Sequence, residues 1–158
     1  PKSPSNVGAV MRAAGCYRVN EVRYTGVRYA RAAKFHTDTK DVLRKIPLNS
    51  VESLVDNILP DQQLVCVDLV EGATPLPDFE HPDHALYIFG PEDGTIAQEV
   101  IDRADAVVYV PTVGCMNLAA SVNVVLYDRL AKSTQTVIGD ELIKNSRDTN
   151  NTVRVKTD

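Results

Sequence analysis

Three short blocks of this chain carry residue types at spacings that can do chemistry. The first is Asn6-x-Gly8-x-x-x-Arg12. A glycine here permits close backbone approach on the first turn of a helix. The six-residue spacing lets an amide and a cation flank the same helix end. The second is Phe89-Gly90-Pro91-Glu92-Asp93-Gly94, directly after a buried apolar run. Its small residues let the main chain touch a ligand, its amides can donate, and Glu92 would sit at the carboxyl edge of a sheet. The third follows the apolar strand Val107-Val108-Tyr109-Val110, which Pro111 ends by removing a backbone donor. After a turn through Thr112, Val113 and Gly114, the polar residues Asn117, Ser121 and Asn123 interleave with Leu118, Val122, Val125 and Leu126. Ser and Asn are poor helix-interior residues, so these positions ask for a reason.

Each block also has a plainer reading. Asn6 is an N-cap and Arg12 a surface cation. The acids after Gly90 favour a helix dipole. The polar residues of the third block face solvent, with Asn117 as a cap. Cys115 has no neighbouring His that would make it a nucleophile.

The elements that must position these blocks follow from periodicity. A helix is predicted over residues 7–16, capped by Ser5 or Asn6, with Val7, Val10, Met11 and Ala14 as its apolar stripe. Residues 21–25 read as a strand and 29–35 as a helix. Residues 40–45 read as a short strand or turn. Residues 50–58 read as a helix, with Val51, Leu54, Val55 and Ile58 on one face and Pro60 ending it. Residues 64–69 and 85–89 are strands by their continuous apolar character. The proline-rich stretch 71–83 is a loop, and 95–104 is a helix burying Ile96, Val100 and Ile101. Leu118, Val122, Val125 and Leu126 mark one face of the last long helix. Alternating strands and helices argue for an α/β protein with a mostly parallel sheet covered on both faces, which places a ligand in a strand–loop–helix corner. The tail 133–158 permits a short helix around 139–144 and is otherwise polar, consistent with partial disorder.

At 158 residues the chain suits one domain with a sizeable core. No apolar run approaches 18 residues, and no secretory signal is visible. Cys16, Cys66 and Cys115 form no CxxC pair, which speaks against a disulfide framework or a metal site and for a reduced, cytoplasmic protein. The net charge of -4 looks wrong for a nucleic-acid binder, but its distribution corrects that. Residues 1–46 hold ten Lys/Arg against three acids, a balance of +7, which leaves -11 for the remainder. A one-sided basic region on an acidic body suits phosphate binding; the plainer alternative is a solvated surface with scattered charges.

Taken together, the blocks NVGAVMR (6–12), FGPEDG (89–94) and VPTVGCMNLAASVNVVLYDRL (110–130) resemble the SpoU/TrmH branch of the SPOUT RNA methyltransferases in order and spacing. The resemblance covers about residues 4–130. It implies a parallel α/β sheet whose C-terminal part forms a deep trefoil knot, with the methyltransferase domain at 1–132 and a tail at 133–158. It implies S-adenosylmethionine as cofactor, S-adenosylhomocysteine as product, and no metal. By similarity the cofactor loops hold Leu69, Val70, Phe89, Gly90, Glu92, Gly94, Val110, Cys115, Met116 and Leu118. The implied reaction is methyl transfer to a ribose 2′-hydroxyl of RNA. Arg12, Asn6, Glu92, Ser121 and Asn123 are the implied catalytic residues, and the basic 1–46 segment makes Arg12, Arg18, Arg28, Arg31 and Lys34 the expected RNA contacts. The family assigns the first-block Arg to activating the hydroxyl. An Arg with a pKa above about 12 is a poor base, so orienting the ribose and stabilising oxyanion character is the preferred role. The family is usually dimeric, with its site across the interface and its first and last helices packed on the partner.

The chain departs from the family pattern in small ways. Val125 stands where a second Ser is common, and Asp128 where Glu is frequent; neither change is expected to abolish activity. The family also has a central strand just before Asn6, where only five residues stand here, so either that strand lies outside this chain or the fold is rearranged. Truncation is the expectation, and an intact mass matching 158 residues alone would refute it. The chain carries no added N-terminal RNA-binding domain, which tilts the expected substrate from ribosomal toward transfer RNA. Two other functions compete. One is a non-catalytic RNA-binding or assembly module on the same fold. The other is a dinucleotide oxidoreductase, disfavoured because no GxGxxG follows a strand.

Overall fold

Ser3 and Pro4 start the first helix. Ser3 Oγ accepts from the Asn6 amide, and Pro4 occupies a first-turn position where a missing N–H costs nothing, so α1 runs Pro4–Cys16. Ser3, not Ser5 or Asn6, is therefore the cap, and Asn6 is freed for other partners. The computed structural model describes residues 3–34 and 45–156. In chain order there follow β1 (Val22–Tyr24), α2 (Val27–Ala33), β2 (Leu48–Ser50), β3 (Gln63–Val67), β4 (Thr74–Pro75), a 3-10 turn (Leu76–Asp78) and β5 (Ala85–Phe89). The remaining elements are α3 (Gln98–Arg103), β6 (Ala106–Tyr109), α4 (Leu118–Lys132) and α5 (Asp140–Ser146). The strand or turn expected at 40–45 falls almost wholly outside the described residues.

Among the described residues every strand pairing is parallel, but the pairings form two sheets rather than one. β1 pairs with β2, and a second sheet has the order β4-β6-β3-β5. Strand β3 is central and covered on both faces. Leu64 and Cys66 pack with Ile88, Ile96 and Val55 on one side. Val65 and Val67 pack with Val108, Leu76 and Val125 on the other. The alternation follows from the two-residue side-chain period of a strand. Val7, Leu64, Val65, Val108 and Val125 are essentially fully buried, each contributing roughly 1.5–3 kcal/mol.

Helices α1 and α4 pack on one another through Val10 and Ala13 against Ala119, Val122 and Leu126. The small Ala residues allow this close contact. Phe89 of β5 and Val22 of β1 both rest on the same cluster, so the helix pair spans the two sheets. Val125, where a second Ser is common, is 1% exposed in the apolar layer under β3 and β6, a place where a hydroxyl would need a partner.

One expected helix does not form. Residues 51–58 are irregular, although Leu54, Val55 and Ile58 still reach the core. Ser53 Oγ accepts from the Val55 amide, a local bond that competes with helix pairing, and Asn57 adopts φ 60. Residues 48–50, not expected as a strand, form β2, and α3 begins at Gln98 rather than 95, because the Ile96 amide bonds to Asp68. The loop 71–83 holds the two-residue strand β4 and the 3-10 turn. Beyond α5, residues 147–156 are exposed and hold no helix or strand, apart from half-buried Arg147.

Candidate active site

Strands β3, β5 and β6 end at the same edge of the sheet, and the loops leaving them enclose one pocket. Of the ten residues expected to hold a cofactor, nine line it: Leu69, Phe89, Gly90, Glu92, Gly94, Val110, Cys115, Met116 and Leu118. Val70 lies outside the wall, its amide bonded to Asp68 O at 3.1 Å. Ser121 lines the pocket from the first turns of α4. Pro91, Thr112 and Gly114, inside the expected loop segments 89–94 and 110–118, also line it, as do Val67 and Asp68 at the end of β3, which the sequence reading did not name. Gly114 has φ +85, the left-handed region that glycine tolerates, and Thr112 Oγ1 donates to its carbonyl at 3.0 Å, shaping the third loop.

A chain of hydrogen bonds ties the three sequence blocks together. Asn6 Nδ2 donates to Glu92 Oε1 at 2.6 Å. Asn117 Nδ2 donates to Asn6 Oδ1 at 3.2 Å. Asn117 Oδ1 in turn accepts from the amides of Ala119 and Ala120 as the N-cap of α4. Residues 111 and 86 positions apart in sequence are thereby held at one pocket rim. Asn117, a polar residue of the third block with the plainer reading of a cap, is both that cap and a partner of the first block. The neighbouring loop position Asp93 pairs with Arg28 of α2 at 3.0 Å.

Not all expected site residues converge. Asn123 Nδ2 donates back to Ala119 O at 2.9 Å, one turn earlier in its own helix, and so is satisfied there rather than in the pocket. Arg12 is exposed and makes no hydrogen bond or ion pair among the described residues. It stands about 9 Å along α1 from Asn6 and about 120° around it. The two therefore do not flank the same helix end. Arg18, Arg31 and Lys34 are exposed, and Arg18 has φ 56. Arg28, by contrast, is engaged with Asp93.

The titrating groups divide by location. Burial pushes the Cys66 thiol up to about 11, with Asp68 adding to it, so this cysteine is a core side chain and not a nucleophile. At the far end of α4, the His81 side chain is 5% exposed and bridges Tyr87 and Asp128, each at 2.7 Å. Arg129 donates to Tyr87 Oη at 3.1 Å, which leaves the single Tyr87 hydroxyl proton for His81 Nδ1. His81 Nε2 then carries the ring proton and donates to Asp128. Burial holds His81 below its ordinary pKa despite Asp128. Burial acts to raise Asp128, but hydrogen bonds from Lys132 and His81 outweigh it and hold the carboxyl low. Arg129 and Lys132 also donate to the carbonyls of Pro82, Asp83, Leu76 and Phe79. The end of α4 is thus fastened to the 76–83 segment.

Among known families, the SpoU rRNA Methylase family matches residues 1–127. No curated protein sequence matches the chain. Among solved structures, the chain is similar to the SpoU methyltransferase AviRb from Streptomyces viridochromogenes in complex with the cofactor AdoMet. The identity is 21% and the TM-score 0.65, covering 82% of this chain and 53% of that one. It is similar to a TrmH/SpoU tRNA modifying enzyme from A. aeolicus, at 16% identity and TM-score 0.64, over 89% of this chain and 78% of that one. It is also similar to an RNA 2′-O ribose methyltransferase, at 19% identity and TM-score 0.66, over 84% of this chain and 53% of that one. The chain spans little more than half the length of the first and third of these. Among the described residues, no helix is long and apolar enough to cross a membrane.

Proposed function

Because the chain belongs to the SpoU rRNA methylase family, we propose that it transfers a methyl group from S-adenosylmethionine to a ribose 2′-hydroxyl of RNA, transfer RNA in preference to ribosomal RNA. The observation that carries this reading is the Glu92–Asn6–Asn117 chain, which joins all three sequence blocks at the rim of the pocket. A relative bound to AdoMet supports the cofactor, and relatives named for tRNA modification and 2′-O ribose methylation support the reaction class. The methyltransferase unit is residues 1–132 with the tail 133–158 appended, and the family's C-terminal trefoil knot belongs to this reading. The protein acts as a homodimer in the cytoplasm.

The pocket suits such a cofactor. Leu69, Phe89, Val110, Met116 and Leu118 offer apolar walls for a purine, while turns at 90–94 and 112–116 bring main chain to the rim. When bound, S-adenosylmethionine supplies a methyl group already activated on a positive sulfonium. The protein then has little to do beyond holding two reactants in line, which by itself supplies much of the acceleration. Glu92 and Asn6 fix the second loop against α1, and Asn117 fixes α4 to both. Ser121 faces the pocket wall, where its hydroxyl suits orienting the ribose. Arg12 stabilises developing charge on the 2′-oxygen and orients the adjoining phosphate. Its exposed place on the third turn of α1, away from Asn6, favours service to the pocket of a second subunit. The exposed apolar residues Val124, Tyr127 and Leu130 of α4 supply a surface for that dimer. Arg18, Arg31 and Lys34 extend the RNA contact across α1 and α2.

The direct test is methyl transfer from labelled S-adenosylmethionine to total transfer RNA and, separately, to ribosomal RNA, followed by nucleoside mass analysis. A 2′-O-methylated nucleoside in the transfer RNA pool is expected. Transfer to ribosomal RNA alone would reverse the substrate preference. Cofactor binding without transfer to either pool would favour the non-catalytic RNA-binding module.

A further inference from the structure

We propose that Asp68 is the positioning residue of the cofactor pocket: one carboxylate that locks the first and second pocket loops to each other and to the sheet. Asp68 directly follows β3, the central strand. Its amide donates to Val108 O of β6 at 3.1 Å. Its Oδ1 accepts from the Leu69 amide at 2.8 Å. Its Oδ2 crosses to the second loop and accepts from the Ile96 amide at 2.9 Å. Each carboxylate oxygen thus accepts from a backbone amide, which makes Asp68 a fastener between the two loops. Ile96 is itself buried in the core at 9% exposure. The bond therefore anchors the exit of the 90–96 loop, while Glu92 and Asn6 hold its rim.

Gly90 completes the device. A Cβ placed on Gly90 would lie 2.6 Å from Asp68 Oδ2 and 3.1 Å from its Cγ. The obstacle is a side chain held by two hydrogen bonds, so it cannot swing aside without releasing one loop. Glycine at 90 is thus explained by the carboxylate behind it as well as by any ligand in front. Asp68, Leu69 and Gly90 all line the pocket, so a slip at this junction moves the pocket wall directly. The effect on cofactor binding rests on the methyltransferase reading; the anchoring itself does not.

The test uses the whole chain with Asp68→Ala, Asp68→Asn, Gly90→Ala and the double variant Asp68→Ala/Gly90→Ala. Calorimetry measures S-adenosylhomocysteine binding, steady-state kinetics separate KM from kcat, and hydrogen exchange follows the Leu69 and Ile96 amides in the free protein. Losing hydrogen bonds to a charged acceptor is expected to weaken binding about ten- to hundredfold in Asp68→Ala. KM for S-adenosylmethionine rises in parallel, with kcat at saturation within about threefold of the parent. Asp68→Asn, which cannot accept with both ends, falls between. Exchange at Ile96 speeds up in both Asp68 variants. Gly90→Ala is as damaging as Asp68→Ala, yet adds nothing in the double variant, because the obstructing carboxylate is gone. Unchanged exchange at Ile96, or additive losses in the double variant, overturns the proposal. If Asp68→Ala does not fold, the exchange and binding of Asp68→Asn decide. A parent protein that binds no S-adenosylhomocysteine defeats the methyltransferase reading instead, and the exchange result then judges the anchoring alone.

Discussion

Asn117 and Asn123 sit six positions apart on the same helix and have opposite fates. Asn117 caps α4 and reaches Asn6, whereas the Asn123 side chain, among the described residues, bonds to its own helix. Asn117→Ala is therefore expected to cost about 1 kcal/mol through the lost cap and to lower Tm by roughly 2–4 °C. Turnover should fall with it, since Asn6 loses a tether. Asn123→Ala should stay within about 0.5 kcal/mol of the parent. Thermal melts of the two variants make the comparison, and equal losses would deny Asn117 its special place. Arg12 gives the sharper functional test. Arg12→Ala is expected to lose turnover by about a hundredfold or more while keeping cofactor affinity, since its part is played at the developing oxyanion. Single-turnover assays beside calorimetry separate the two effects, and unchanged turnover would remove Arg12 from the mechanism.

Among the elements, α4 is anchored at both ends by different chemistry. Its start is capped by Asn117 beside the pocket, and its last turns are fastened by Asp128, Arg129 and Lys132 to His81, Tyr87 and the 76–83 carbonyls. The far clamp is built around a neutral imidazole held between Tyr87 and Asp128, with Arg129 on Tyr87 and Lys132 on the same Asp128 oxygen. Folding holds the His81 pKa below its ordinary 6.5. The unfolded chain therefore takes up the proton first as the solution is acidified. The stability His81 contributes is full above about pH 6.5 and declines as pH falls from there toward the lower folded value. Asp128, also held low, loses its contribution only below its ordinary 3.8. Tm is expected to drop between pH 7 and 5, with a shallower slope in His81→Gln. Equal slopes in the two proteins would mean that His81 is not the sensing group. None of this touches the pocket, because the clamp lies at the opposite end of the helix.

For the molecule as a whole, charge and symmetry carry the predictions. The basic stretch 1–46 faces RNA in the proposed reading, while the rest of the chain is strongly acidic. RNA affinity should then fall steeply and log-linearly with salt as counterions are released. A flat response in filter binding between 50 and 200 mM, roughly the range where such contacts show, would argue against phosphate contacts by this face. The placement of Arg12 makes a second prediction. If it serves the opposite subunit, mixing inactive Arg12→Ala with inactive Asn6→Ala should regenerate one intact site in each mixed dimer. That restores about a quarter of the parent activity for random pairing of two-fold subunits. No recovery after subunit exchange would place Arg12 in its own subunit's pocket.

Local pattern was enough for much of this. The apolar stripes of α1 and α4, the buried runs of β3, β5 and β6 and the turn chemistry at 90–94 are written in residue spacing, because they answer to periods of two and 3.6. Nine of the pocket residues followed from those loops once the family resemblance was seen. Where competing local bonds were strong, pattern misled: Ser53 and Asn57 drew residues 51–58 out of the helix that their apolar spacing suggests. Contacts between distant segments had no local signature at all. That Asp68 would hold Ile96, that Asn117 would hold Asn6, and that the parallel strands would divide into two sheets depended on which segments met in space. Side-chain hydrogen bonds are short and directional, so they exist only after packing has brought their partners within about 3 Å. Spacing along the chain can nominate such residues, and only the packed fold pairs them.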